Sequence, residues 1–355
     1  MNRLTLAVAG GRKTQGVVDE CAAAPAGHRI LVLTYTVANQ HEIRTRLATR
    51  APIQAQVHVQ GWFSFLLGHW IRPYLPRQFP NRRLSGLNFD GDPGIYATGV
   101  CRFLDEGGRA YKLHLAQLAI MTSSASGGAV LDRLLRMYDE IYVDEVQDLN
   151  GYDLEILLTL LSLPIDLVMV GDVRQALLLT NPRERKNSQY KGIQVKKWFD
   201  ERAAAGLLDI TQAATTWRSN QIIADFADSI FDDSWGFEKT TSINNGVTGH
   251  DGVFVVRPEH VDAYMPLFQP LCLRHNANSA RSLGLPFMNF GIAKGRTCER
   301  VLIAPTGVIS DFLRLGKQLE DLAACSLYVA VTRARASVAF VSDVADTIDF
   351  PEWTP

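Results

Sequence analysis

The chain has 355 residues, 47% hydrophobic and 21% charged, enough for two ordinary domains with their own cores. With 36 Lys and Arg against 37 Asp and Glu the formal net charge is −1, so a globally basic surface is excluded and any nucleic-acid contact must come from a local groove. The five cysteines, Cys21, Cys101, Cys272, Cys298 and Cys325, form no CxxC pair and have no histidine at ligand spacing; this excludes a zinc site and a disulfide framework and fits a reducing cytoplasm.

The first run, Leu4–Ala9, lacks the basic start and cleavage site of a signal peptide. It reads as a strand and leads into Gly10-Gly11-Arg12-Lys13-Thr14, with a helical pattern from Gln15. A strand, a glycine turn and Lys-Thr at a helix start make a phosphate cradle: backbone amides and the helix dipole face the anion, the lysine reaches the terminal phosphates and the threonine hydroxyl ligates Mg²⁺. The pattern is incomplete, because Arg12 stands at the glycine before the lysine and Val8 at the first glycine of GxxxxGKT. A glycine turn with exposed basic residues reads the same way in isolation.

The next strand, Ile30–Thr34, is followed by helical sequence and then by a stretch from Arg72 to Gly94 rich in Pro, Arg, Asn and Gly, where the α/β alternation stops. A small helical insertion is expected across residues 72–135. In its first part Arg72, Arg77, Arg82 and Arg83 interleave with Tyr74 and Phe79, a solvated loop or a nucleic-acid contact.

Glu140–Val143 is an apolar-edged strand that ends in Asp144-Glu145-Val146-Gln147-Asp148. An aspartate at a strand end holds Mg²⁺, and the glutamate after it orients and deprotonates an attacking water. One acidic turn residue capping a helix is common; the whole string is not. The strand Leu167–Val170 ends in Gly171-Asp172-Val173-Arg174-Gln175, where the Gln175 amide is suited to sense a γ-phosphate because it both donates and accepts. The most apolar stretch, Leu154 to Val170, is interrupted by Pro164 and Asp166, so no membrane span is expected. A polar, basic segment from Thr180 to Gly192 follows, with six basic residues against one acidic between Arg183 and Lys197, and the domain boundary is placed just after Phe199. Strands Val253–Val256, Arg300–Ile303 and Ser337–Val341 continue the alternation. The fold class is therefore α/β, with parallel sheets flanked by helices and function at the carboxyl ends of the strands. The N-terminal domain is read as residues 1–200, including the insertion, and the C-terminal one as 201–355.

In order and spacing these segments resemble the superfamily 1A helicases of the UvrD, Rep and PcrA type over nearly the whole chain. VDEVQD at Val143–Asp148 resembles the DExxQD core and GDVRQ the motif after it; Leu33–Thr36 resembles LTFT, and Gly61–Phe65 resembles TFHSF. In the second half Thr216–Ser219 stands where the family has NYRS, Ala293–Thr297 where it has KGLE or KGLT, and Tyr328–Ala334 where it has YVAxTRA. The resemblance implies two RecA-like P-loop domains and an ATP- and Mg²⁺-dependent enzyme that translocates on single-stranded DNA, with 3′ to 5′ family polarity. By carry-over, Gly10, Gly11, Arg12, Lys13 and Thr14 bind nucleotide phosphates, Thr14 and Asp144 the metal, and Trp217 stacks on the base. Glu145 activates water, while Gln175, Arg218 and Arg333 act on the γ-phosphate, the two arginines from across the inter-domain cleft. DNA phosphates would meet Thr34 and Lys294, and bases would stack on Tyr35, Trp62 or Phe63.

The chain departs from the family in three places. The residues ahead of the first strand are too few for the Q motif, which leaves NTP selectivity open; Arg12 replaces a loop glycine; and only about seventy residues separate Arg218 from Lys294, too few for the large accessory domain of bigger relatives. A translocase that unwinds weakly without a partner is the expectation, with a nuclease or other protein as that partner. Two alternatives stay open: a nucleotide-gated binding module with slow hydrolysis, and an RNA-directed enzyme.

Overall fold

The computed structural model describes residues 2–50 and 53–355. Among the described residues sixteen strands run in chain order: β1 Arg3–Ala7, β2 Arg29–Thr34, β3 Gln56–Gly61, β4 Gly86–Asn88, β5 Arg109–Tyr111, β6 Glu140–Asp144, β7 Asp166–Gly171, β8 Asp209–Ala213, β9 Thr215–Thr216, β10 Thr241–Ser242, β11 Gly252–Val256, β12 Leu271–Arg274, β13 Met288–Asn289, β14 Cys298–Ile303, β15 Ala334–Val341 and β16 Glu352–Trp353. They form two six-stranded sheets, β3-β2-β6-β7-β1-β8 and β13-β12-β14-β15-β11-β16, and two small pairs, β10-β9 and β4-β5. Every pairing in the second large sheet is parallel, as are β2 with β3, β2 with β6 and β6 with β7 in the first. The fold is thus the expected α/β class, with two RecA-like sheets.

By contacts the chain forms two units. One holds the residues up to Thr5 with Lys13–Gly171 and Leu179–Thr211; the other holds Leu6–Arg12, Asp172–Leu178 and Gln212–Pro355. The loop after β1 is therefore divided, with Gly10, Gly11 and Arg12 in the second unit and Lys13 and Thr14 in the first.

In the first unit β2 is apolar throughout because both faces of a parallel strand are covered. Ile30 and Val32 join Val17, Val18 and Cys21 of helix Lys13–Ala23 and Ile43 and Leu47 of helix Val37–Thr49 in one core cluster, with Tyr142 and Val168 from the adjoining strands. Thr36 caps the second helix, its hydroxyl accepting from the Asn39 amide at 3.1 Å. Between residues 72 and 137 the structure holds helix Leu75–Gln78, the β4-β5 pair, and helices Leu115–Ala125 and Ala129–Met137. In the second unit helix Asp321–Val331 is buried from Ala324 to Val331, the pattern of a helix enclosed on all sides. Among the described residues no helix is long and apolar enough to cross a membrane.

A buried polar knot fixes the end of β3 in the first unit. Trp62, the first residue of the short helix after β3, donates its indole N–H to Asp153 Oδ1 at 2.7 Å. The Thr180 hydroxyl lies in a short contact with Asp153 Oδ2 and 2.7 Å from Asn150 Oδ1. Asn150 Oδ1 also accepts from the Asn181 amide at 2.8 Å, so it is an acceptor toward Thr180 as well. Thr180 thus has one hydroxyl hydrogen for two acceptors, Asn150 Oδ1 and Asp153 Oδ2. Burial pushes the Asp153 carboxyl up to about 6, against the hydrogen bonds from Thr180 and Trp62 that pull it down.

Because the folded-state value lies above the ordinary 3.8, this carboxyl's contribution is fully present below about pH 4 and lost as pH rises through about 6. Asp153→Asn, which keeps an acceptor for Trp62 and cannot ionise, should gain on the native protein by about 3 kcal/mol between pH 4 and pH 8 in urea unfolding. A difference that stays flat across that range would remove the proton from the knot.

Candidate functional site

Strand ends place the first group of candidate residues. Helix Lys13–Ala23 begins at Lys13 itself, and Thr14 donates its hydroxyl to Asp144 Oδ2 at 3.1 Å. Asp144 is the last residue of β6, and its other oxygen accepts from the Glu145 amide at 3.0 Å. The Glu145 carboxylate is held in a short contact by the Gln147 amide. Burial and the neighbouring Glu145 charge raise the Asp144 carboxyl to about 7, while Lys13 and the Thr14 bond act the other way. Lys13, Thr14, Asp144 and Glu145 therefore come together in one unit.

This group suits a hard divalent cation. A buried carboxylate oxygen and a hydroxyl 3.1 Å apart supply two oxygen donors on the same side. Among the described residues no three His, Cys, Asp or Glu side chains gather into a metal cage. Such an ion would depend on phosphate oxygens for the rest of its shell, as is usual for Mg²⁺.

The second unit assembles the remaining nucleotide candidates. Gly10 has φ +76°, and a Cβ there would lie 2.6 Å from both Arg218 Cβ and Thr216 Oγ1, so only glycine fits. Its carbonyl accepts from the Trp217 amide at 3.2 Å, and the Thr216 hydroxyl donates to the Ala9 carbonyl at 2.8 Å. Arg12 adopts φ +56° with a full side chain, and its guanidinium lies 4.8 Å from the centroid of the Trp217 ring, which is 38% exposed. Arg218 donates to the Thr332 carbonyl at 3.0 Å, and burial lowers its pKa from the ordinary guanidinium value.

A chain of hydrogen bonds runs through the same unit. The Ala9 amide donates to the Tyr328 hydroxyl at 3.1 Å, which lies 3.2 Å from Asp172 Oδ2. That oxygen also accepts from Gln175 Nε2 at 2.7 Å, leaving Gln175 Oε1 to accept from Arg333 Nη2 at 3.1 Å. Arg333 is fully buried and donates further to the Val329 carbonyl at 2.8 Å. Arg174, 4% exposed, pairs with Asp228 at 2.9 Å and lies over the rings of Phe237 and Tyr328 at 5.0 and 4.6 Å. Sequence reading gave no role to Tyr328, Asp172, Thr216 or Arg174, although all four lie within or beside the motifs it used.

The expected nucleic-acid residues divide. Tyr35 and Phe63 are half-buried and meet edge to face at 5.6 Å. Lys294 is half-buried at the end of the turn Phe290–Ala293, in the second unit. Thr34 and Trp62 require correction. Both are 1% exposed: Thr34 closes the inner strand β2, and the Trp62 ring is packed against Phe65 with its N–H taken by Asp153. Neither presents an atom to a strand of nucleic acid.

Arg12 sits where left-handed backbone costs a side chain about 1–2 kcal/mol. Arg12→Gly should be about 1 kcal/mol more stable than Arg12→Ala in chemical denaturation, since both lose the guanidinium and only the alanine keeps the strain. Equal stabilities would show that the loop relaxes without cost.

Residues 101–178 match the model of the UvrD/REP helicase N-terminal domain. Curated protein sequences contain no significant match to the chain. Among solved structures, the chain is similar to the arterivirus nonstructural protein 10 helicase at 14% identity and TM-score 0.48, over 98% of this chain and 62% of that one. The complex of that helicase with DNA gives 13%, 0.49, 97% and 61%. The Pif1 helicase from Bacteroides, in complex with ADP-AlF3 and ssDNA, gives 10%, 0.40, 99% and 91%. The chain spans about three fifths of the length of the arterivirus helicase it matches. The family match falls on the strands and turns that carry VDEVQD and GDVRQ, so at those residues the chain is like the UvrD-type superfamily 1 helicases.

Proposed function

We propose that the chain is an ATP-driven translocase of UvrD-like type on single-stranded DNA, moving 3′ to 5′, with motor domains at about residues 1–200 and 201–355. The observation that carries this reading is the hydrogen-bonded set of Thr14, Asp144 and Glu145 at the start of the helix that begins with Lys13. Lys13 and the helix start bind the phosphates, and Thr14 with Asp144 holds Mg²⁺, which when bound neutralises phosphate charge. Glu145, one residue beyond the metal aspartate, takes the proton of the attacking water. Gln175, Arg218 and Arg333 stabilise γ-phosphate charge, for which Arg333 exchanges its present acceptors for phosphate oxygens. Trp217 offers its ring to the base. Tyr35, Phe63 and Lys294 contact the strand, with bases stacked irrespective of sequence. A nuclease or other protein partner would supply grip on duplex, and a reducing cytoplasm suits the free cysteines.

Arg12 supports a second reading, a nucleotide-gated binding module with slow hydrolysis. Its side chain occupies the place of a loop glycine and covers Trp217. A motor should show ATPase activity stimulated at least tenfold by oligo-dT and lost in Lys13→Ala; a switch should show little stimulation. Glu145→Gln should abolish turnover while ATP still binds in calorimetry. Retained turnover would remove Glu145 as the base, and equal stimulation by matched RNA would remove the preference for DNA.

A further inference from the structure

With Trp62 in the core, the first unit still carries three neighbouring rings, and the third comes from a residue with no motif around it. Phe63 meets both Tyr35 and Phe89 edge to face, at 5.6 and 6.1 Å. Phe89 is 60% exposed. The ammonium of Lys112 lies 5.5 Å from the centroid of Phe63, and among the described residues Lys112 has no ion-pair partner.

The small sheet explains how these side chains meet. β4 and β5 are parallel and in register, with Asn88 opposite Tyr111. The next residues, Phe89 and Lys112, leave the two strands at the same end. An Asx turn holds the chain beyond Phe89: the Gly91 amide donates to Asn88 Oδ1 at 2.8 Å, and Asn88 Nδ2 donates to Asp105 at 2.9 Å. Of the acidic groups nearby, Asp92 pairs with Arg183 at 2.6 Å and Glu184 accepts from the amides of Arg185 and Lys186, while Asp90 follows Phe89 directly in the chain.

We propose that Phe89 and Lys112 extend the nucleic-acid interface beyond Tyr35 and Phe63, as a base-stacking ring and a phosphate contact for single-stranded DNA. The proposal rests on the functional reading above. An exposed ring in contact with Phe63, whose own ring lies near the Lys112 ammonium, supplies the two things a single strand needs: a π-face for a base and a positive charge for its backbone. A duplex cannot use the rings, because its bases are already stacked on one another. Phe89 takes the place that the family resemblance assigned to Trp62.

Each residue leaves its own mark on binding, read without nucleotide by fluorescence anisotropy with labelled oligo-dT across a salt series. Phe89→Ala should weaken affinity by about 5- to 150-fold, with the salt dependence unchanged. Lys112→Gln should flatten the slope of log K against log salt by about 0.7, the signature of one lost single-strand phosphate contact. Tyr96→Ala, which removes a ring 93% exposed farther along the same segment, should bind like the native chain. Affinity unchanged in Phe89→Ala, or weakened as much in Tyr96→Ala, overturns the proposal while leaving the motor reading intact. A native chain that binds no oligo-dT removes both.

Discussion

The arrangement around Lys13 depends on a carboxylate that the fold buries before anything is there to balance it. Asp144 ends an inner strand, in register with Val170 of β7, and is almost wholly removed from water. Lys13, the Thr14 hydroxyl and the Glu145 amide offset its charge, and the Glu145 carboxylate charge stands against them. Ion and phosphate would complete what these side chains begin, because a divalent cation at such an oxygen replaces the proton that burial otherwise favours.

The second unit solves a different problem, the orientation of side chains. A glutamine amide has two unlike ends, and its function depends on which end faces outward. Asp172 takes the N–H end of Gln175, so the carbonyl end is turned to Arg333. Asp172 is itself fixed by the Tyr328 hydroxyl, which also receives the Ala9 amide. Arg174 braces the Tyr328 ring from its face and is held by Asp228. Burial works against the Arg174 charge, but Tyr328, Asp172 and Asp228 together outweigh it and raise its pKa. The chain of hydrogen bonds from Ala9 to Arg333 thus runs through the side chains of Tyr328, Asp172 and Gln175.

Most of the α/β framework was legible in the sequence, because inner parallel strands must be apolar and end at polar turns. All seven strands read from the pattern are present, within a few residues of their expected ends. The strands that escaped were β3 and β8, at the edges of the first sheet, β12, which is only four residues long, and pieces of two or three residues. QVHVQG and DITQA carry too few buried side chains to stand out from loop. Strand-end positions were legible too, but the directions of their side chains were not. Thr34 and Trp62 occupy the expected positions beside an expected surface, yet both point inward. What turns Trp62 is an aspartate 91 residues further on, and local spacing carries no record of such a partner.

Backbone strain ties these observations together. Six non-glycine residues among those described have positive φ, and two of them, Arg12 and Glu145, stand directly beside Lys13 and Asp144. Conformations of this kind cost about 1–3 kcal/mol each and persist only where the surroundings enforce them. At Glu145 the enforcement is local: its amide is tied to Asp144 and its carboxylate to Gln147. At Arg12 it comes from a distant part of the sequence, the Thr216–Arg218 segment that packs on Gly10 and the ring of Trp217 beneath the guanidinium. A glycine at position 12 would reach the same φ without that support. The arginine instead holds this shape with contacts from a segment far along the chain, the Trp217 ring and the residues packed on Gly10.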